Sequence, residues 1–403
     1  VVRRALLTLV LAGACARETQ VWDPIGDPEL PGGAASALAW PADSPLPPEF
    51  ETPPWLTMPE PGRIAVGWRT IDADQGEVVL EAAGGDGTSI REDAAATLHH
   101  VDLGELPAAT TFHYRVLLAS GAAREGVFTT PGLEEWRFVQ LAELHIPSER
   151  EHVEAYAAAI RAFQPEVAVE SGDMLDDGDE DAQWVDYLRT SRPWISNVIL
   201  LPVHSNHVNG ITGNPILLAT FELPGNERWF TTRYGAVEFV TLDSTFDGES
   251  PDIASEPAWI EGSMAASRDA PDPPVFTIGA WHYPACSSSY ASRTGERRWV
   301  IDNLVSAFQA TGGLDLIMVG HDKYYERSIL TVGGLHIQHV MANVGKLAPG
   351  TDGDNEPECA PIVTDTDTRS LLMVGVSPDA LVARVVDPDG AILDEFTVAA
   401  RAR

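Results

Sequence analysis

Five short apolar runs in this chain each end abruptly in a polar cluster, and that recurrence limits the possible folds more than any other feature. Arg137-Phe138-Val139-Gln140-Leu141 leads into Glu143-Leu144-His145. Glu166-Val167-Ala168-Val169-Glu170 leads into Gly172-Asp173. The run at 198–201 leads into Ser205-Asn206-His207-Val208, that at 275–278 into Trp281-His282-Tyr283-Pro284, and that at 316–319 into Gly320-His321-Asp322-Lys323. Apolar runs this short predict buried strands. Between the first two, residues 151–163 place Val153, Tyr156, Ala157 and Ile160 on one helical face, and 182–188 predict a second helix. A further strand is expected at 239–242. Alternating strands and helices predict an α/β domain over 135–403, whose ligands gather at the carboxyl ends of the strands. The polar clusters fall at those ends. A β-hairpin is expected in the tail, with strands at 381–386 and 392–398 turning at Asp387-Pro388-Asp389-Gly390.

The stretch before this domain reads as β-structure. Residues 63–70, 77–81, 98–103, 112–117 and 126–130 are short runs separated by Gly- and Pro-containing turns. They predict a small β-sandwich over 51–132. His99, His100 and His113 fall in it and read as surface or strand-pairing residues. Residues 16–50 are rich in Pro, Gly, Ala and acid without sustained period, and read as a flexible linker.

Residues 1–15 read as an export leader: Arg3 and Arg4, an apolar stretch of about ten residues that is too short to span a bilayer, then Ala12-Gly13-Ala14-Cys15. This resembles a bacterial lipobox, which implies lipidation of Cys15 and a periplasmic or cell-surface location. An ordinary cleaved leader and a misplaced start are the other readings. Cys286 and Cys359 are then the remaining cysteines, either paired in an oxidising compartment or buried as thiols. The net charge of −34 argues against nucleic acid and anionic lipid as partners, leaving the membrane reachable only through the lipid at Cys15. It would also repel a phosphorylated substrate at long range, so a phosphate site here needs local positive charge. The sequence identifies no protein partner.

Each cluster alone is an ordinary cap or turn. In this order, each after a buried strand, the five resemble the calcineurin-like metallophosphoesterase superfamily. The run Leu103-Gly104-Glu105-Leu106-Pro107 through Tyr114 and on to Pro131 resembles the fibronectin-III-like domain of its purple-acid-phosphatase-like branch. The resemblance implies an αββα sandwich and two divalent ions ~3.5–4 Å apart that hold a phosphate and activate a bridging water. By match to the motifs, Asp173 bridges the ions. Asn206, His282 and His321 complete one ion's ligands, and Glu143 and His145 serve the other. The ligand types suit a divalent transition metal, Fe, Mn or Zn, at one or two ions per chain. His207 matches the histidine that protonates the leaving oxygen.

The departures from that pattern concentrate on one half of the site. Glu143 stands where Asp is usual, Ser205 where Gly is usual, and Val208 where a carboxylate could orient His207. Asp176 stands where purple enzymes place a tyrosine, so no purple colour is expected. Lys323 occupies a histidine ligand's position, in a chain whose only other lysine is Lys346. Its ammonium could replace an ion beside Glu143 and Asp173, its neutral amine could ligate a metal, or its stem could carry it to solvent. Two functions follow from the resemblance. One is an exported metal-dependent phosphoesterase hydrolysing small phosphate esters with impaired activity. The other is a catalytically inactive phosphoesterase-fold lipoprotein acting as a binding or structural surface protein. Arg293, Arg297 and Arg298 read as surface residues, His336 and His339 as structural ones, and His204 either faces the cleft or packs.

Overall fold

The computed structural model describes residues 39–401 apart from 61, 83–84, 86, 209–214, 246–252, 310–311 and 351–352. The leader, Cys15 and most of the expected linker lie outside the described residues. Residues 39–50, expected to end that linker, are held against the body. Phe50 is buried, Arg161 donates to the Pro41 carbonyl at 2.7 Å, and Arg192 pairs with Asp43 at 2.9 Å.

Seven strands come first: β1 (Trp55–Glu60), β2 (Arg63–Asp74), β3 (Gly76–Ala82), β4 (Gly87–Arg91), β5 (Ala96–Glu105), β6 (Thr111–Leu118) and β7 (Ala123–Thr129). Strand β6 shows why they form. Phe112, Tyr114, Val116 and Leu118 are buried while His113 and Arg115 face outward, the period-two pattern of a strand with one wet face. His99 is buried, stacked on Trp68 with centroids 4.6 Å apart and bonded to Thr70 and Glu92.

Strand β8 (Trp136–Leu141) opens the second part, followed by α1 (Arg150–Ala155), α2 (Ala157–Phe163), β9 (Val167–Glu170), α3 (Asp181–Thr190), β10 (Ile199–Pro202) and α4 (Pro215–Thr220). The helix expected over 151–163 is thus two helices meeting at Tyr156. Then come β11 (Phe230–Tyr234), β12 (Val237–Thr241), α5 (Glu256–Arg268), β13 (Phe276–Ala280), α6 (Thr294–Trp299) with a π-helical turn over Val300–Val305, and β14 (Leu316–Val319). The chain closes with β15 (Tyr325–Val332), β16 (Leu335–Met341), β17 (Cys359–Asp365), β18 (Leu371–Val376), β19 (Ala380–Val386) and β20 (Ile392–Ala399).

Among the described residues these strands form three sheets. One has the order β4-β3-β6-β7, one β20-β19-β18-β8-β9-β10-β1-β2-β5, and one β11-β12-β13-β14-β16-β15-β17. Strands β8, β9 and β10 run parallel, as do β12, β13 and β14. The layering follows from residue parity. Phe239, Ile278, Leu316 and Met318 join one core with Phe138, Val169 and Leu200, and the rings of Phe138 and Phe239 meet edge-to-face at 5.4 Å. Their neighbours Val240, Ile317 and Val319 face a second core with Ile260 and Met264 of α5 and Val300 and Leu304 of the π turn. The result is a mixed α/β molecule with two sheets face to face and helices outside, matching the expected α/β class.

Two strands depart from expectation. The tail hairpin is present, but as the edge of a sheet reached through β18, a wholly buried strand that pairs antiparallel with β8. Strand β1 follows Pro53 and Pro54 and contains Pro59, which cannot donate to a ladder, and the sequence singles out no strand there. It nevertheless pairs with β10 at Leu56↔Ile199 and carries the sheet across the boundary expected between 132 and 135.

Candidate metal centre

The site begins with backbone geometry. Nine non-glycine residues among those described have positive φ, and five of them are Glu143, His145, Asp173, His321 and Lys323. Such conformations cost on the order of 1–3 kcal/mol each and persist only where the surroundings impose them. Here five buried parallel strands, β8, β9, β10, β13 and β14, end together, and the chain must turn at once to leave the sheets. Gly172 sits at φ +93°, and a Cβ there would lie 2.4 Å from His282 Nδ1. Gly320 is required by close approach instead: its Cβ would meet Glu143 Oε1 at 2.8 Å.

All eight residues singled out in the sequence converge. Asp173 lies at the centre and is fully buried. His282 Nε2 is 3.2 Å from its Oδ1, and His145 Nε2, His207 Nε2 and Lys323 Nζ are 3.5, 3.8 and 3.8 Å from its Oδ2. Asn206 Oδ1 is 3.0 Å and His321 Nδ1 3.2 Å from His282 Nε2. Glu143 meets His145 at 3.1 Å and Lys323 at 3.3 Å, and accepts from the His321 amide. Donor atoms of Asp173, His282 and His321 lie within 4.8 Å of one another, and so do those of His145, Asp173 and His207. Asp173 belongs to both groups.

Lys323 decides between the three readings of its position. It is only 8% exposed, so its stem does not carry it to solvent. Burial lowers its pKa, but Glu143 and Asp173 outweigh burial and hold it above the ordinary lysine value. The amine is therefore an ammonium. The carboxyl of Asp173 is held well below the usual range, because His282 and His145 more than offset its desolvation. His145 is lifted to about 9, burial opposing and the two carboxylates prevailing. Without metal, this half of the site carries two cations against two carboxylates.

The other half suits an ion. Both Asp173 carboxylate oxygens are buried with only ion-pair neighbours, the nearest being His282 Nε2 at 3.2 Å and His145 Nε2 at 3.5 Å, and no well-aligned hydrogen bond, so a cation would complete their partners. Burial, then His282 and Arg293, push His321 well below the ordinary imidazole pKa, so it stays neutral as a ligand must. Asn206 adds a neutral carbonyl oxygen. Residues around these ligands fix their rings. His282 Nδ1 donates to the Ser171 carbonyl at 2.9 Å, and His321 Nε2 pairs with Glu296 at 3.1 Å. His207 Nδ1 donates to the Asp176 carbonyl at 2.7 Å, which replaces the carboxylate lost at Val208. Ser205 accepts the Asp173 amide at 2.9 Å, a bond glycine could not offer.

Sequence reasoning missed Ser171, Glu296 and the orienting roles of Asp176 and Ser205. Asp176 and Ser205 had a signal, their places where a tyrosine and a glycine are usual; the Asp176 carboxylate lies 3.4 Å from His145 Nδ1. Arg297, read as surface, is fully buried and bonded to Glu356 and the Ser289 carbonyl. His204 packs, buried, against the Glu227 carbonyl. Cys286 and Cys359 form a disulfide with Cα atoms 5.6 Å apart, four residues beyond His282. His339 accepts the amides of Ala285 and Cys286 at 3.1 and 3.3 Å, a structural role in keeping with expectation.

No protein-family model matches the sequence, and no curated protein sequence matches it. Solved structures do. The chain is similar to purple acid phosphatase PPD1 from yellow lupin (Lupinus luteus), with TM-score 0.68 and 16% identity over 86% of this chain and 74% of that one. It is similar to PhoD, with TM-score 0.62 and 9% identity over 89% and 94%. This is the calcineurin-like metallophosphoesterase fold. GAP50, "the anchor in the inner membrane complex of Plasmodium", shares it at TM-score 0.50 and 13% identity over 67% of this chain and 90% of that one. Within the metallophosphoesterase fold, the five clusters described above occupy the carboxyl ends of the parallel strands, where that architecture gathers ligands.

Proposed function

We propose that this protein is a phosphoesterase with a one-ion site, in which the Lys323 ammonium stands in for the second ion. Asp173, Asn206, His282 and His321 would hold one divalent transition metal, Fe, Mn or Zn. When bound, that ion would supply a Lewis acid for a phosphoryl oxygen. Lys323, 3.3 Å from Glu143 and 3.8 Å from Asp173, carries the reading, since a fixed charge there both balances the carboxylates and blocks a neighbouring dication. His207 is half-exposed at the opening, anchored through Nδ1, with Nε2 left to give a proton to a leaving oxygen. The substrate class is a small phosphate monoester or diester, and turnover is slow. Metal content per chain and hydrolysis of p-nitrophenyl phosphate across pH test this: one ion and slow hydrolysis are expected, and two ions with brisk turnover would overturn it.

The second reading is a binding or anchoring protein that retains the fold. The same Lys323 contacts favour it, together with the likeness to GAP50, which is described as an anchor. Metal-free protein without hydrolysis would select it. The strands before β8 would form the fibronectin-III-like module of the purple-acid-phosphatase-like branch. Export with lipid at Cys15 is carried by the basic start, the apolar run and the lipobox-like cysteine, and mass spectrometry of the mature N-terminus tests it.

A further inference from the structure

We infer that Arg293 and Lys323 together form an oxyanion clamp that receives the phosphate group of the substrate. The inference rests on the one-ion reading of the site and extends it to how this acidic protein holds an anion. Lys323 Nζ donates to the His321 carbonyl at 3.4 Å, and Arg293 Nη1 donates to that same oxygen at 3.0 Å. Two cations that share one acceptor are neighbours, and the residue they share is one of the proposed ligands. Arg293 Nη1 also reaches the Asp322 carboxylate, and its guanidinium lies over the Tyr290 ring at 4.4 Å, which fixes its plane. Its Nε and Nη2 make no hydrogen bond among the described residues.

Exposure separates the floor of the site from its mouth. The side chains of Glu143, His145, Asp173 and His282 are sealed, whereas those of Arg293 and Lys323 are 23% and 10% exposed. An incoming anion therefore meets the two cations before it meets Glu143 and Asp173, while the Glu296 and Asp176 carboxylates, 29% and 30% exposed, flank the opening. With a net charge of −34 the bulk surface repels a phosphate ester, and a local pair of cations opposes that repulsion. The two donors differ usefully: a guanidinium presents a planar fork that matches two phosphate oxygens, and an ammonium presents a point charge. Arg293 has no counterpart among the five strand-end clusters, because it arises from the short 3₁₀ turn before α6.

Calorimetric titration of the full-length, metal-assayed protein with inorganic phosphate tests the clamp, beside Arg293→Gln and Arg293→Lys. Phosphate should bind the parent protein, weaken by about tenfold or more in Arg293→Gln as a charge-assisted bond is lost, and recover in part in Arg293→Lys. Metal content and thermal midpoint should be unchanged in Arg293→Lys, which keeps a donor for Asp322 should the glutamine variant fold poorly. Unchanged phosphate affinity in Arg293→Lys and Arg293→Gln, or no phosphate binding by the parent protein, overturns the inference. Arg293-dependent phosphate binding without hydrolysis of p-nitrophenyl phosphate upholds the clamp and removes only turnover. Slow hydrolysis with KM unmoved in either variant removes the clamp and leaves the phosphoesterase.

Discussion

Lys323 reaches Glu143 and Asp173 because its positive φ aims a long side chain back under the strand ends. A shorter imidazole from the same backbone would leave Glu143 and Asp173 free to hold an ion. Lys323→His combined with Glu143→Asp should therefore raise metal stoichiometry from one toward two and increase phosphate-ester hydrolysis by about tenfold or more, within the range that ligand-supporting residues command. Metal analysis alongside steady-state rates reads both, and a stoichiometry unchanged at one would sink the reading of Lys323 as an ion substitute. Gly172 is the other decisive residue. A Cβ there would strike His282, so Gly172→Ala should lower stability by about 1–3 kcal/mol through backbone strain alone and release the metal. Thermal melts with and without added Zn²⁺ check both effects.

At the scale of elements, the turn after β13 carries His282 and is pinned twice, by the Cys286–Cys359 disulfide and by His339. The disulfide closes a loop of 73 residues, and removing it with Cys286→Ser and Cys359→Ser should cost about 2–5 kcal/mol in denaturant unfolding. Burial lowers the His339 pKa to about 4. Between that value and the ordinary 6.5, the unfolded chain binds a proton that the folded chain refuses. Stability from this residue is therefore full above pH 6.5 and declines as pH falls toward 4, by on the order of 3 kcal/mol. His339→Gln, which keeps an acceptor and loses the titration, should flatten stability over that window. An unchanged slope would assign the acid sensitivity to other groups.

For the whole molecule, the junction of β1 with β10 matters most. Through it the first strands extend a sheet of the phosphoesterase fold, and Trp55, Leu56 and Val66 share a core with Phe138 and Leu200. A chain beginning at Gly132 would lose that core and leave β10 as an open edge, an invitation to aggregate. It should be recovered as insoluble or associating material, as sedimentation would report. A soluble, monomeric fragment with native melting behaviour would instead assign 135–403 an independent core.

Local pattern settled a good deal. The apolar runs ending in Glu143, Asp173, Asn206, His282 and His321 identify buried strands with polar clusters gathered at their ends, because strand burial and abrupt turns are short-range properties. The helical face of Val153, Tyr156 and Ile160 and the tail turn at Asp387–Gly390 follow for the same reason. Strands β1 and β18 escaped, since prolines masked one and only distant partners β10 and β8 define either. Tertiary structure alone decided where Lys323 points, that a main-chain carbonyl of Asp176 replaces the carboxylate missing at Val208, and that Arg293 stands beside Lys323 on one oxygen. Those outcomes depend on chain segments that are remote in sequence and meet only where five strands end, so no local pattern contains them.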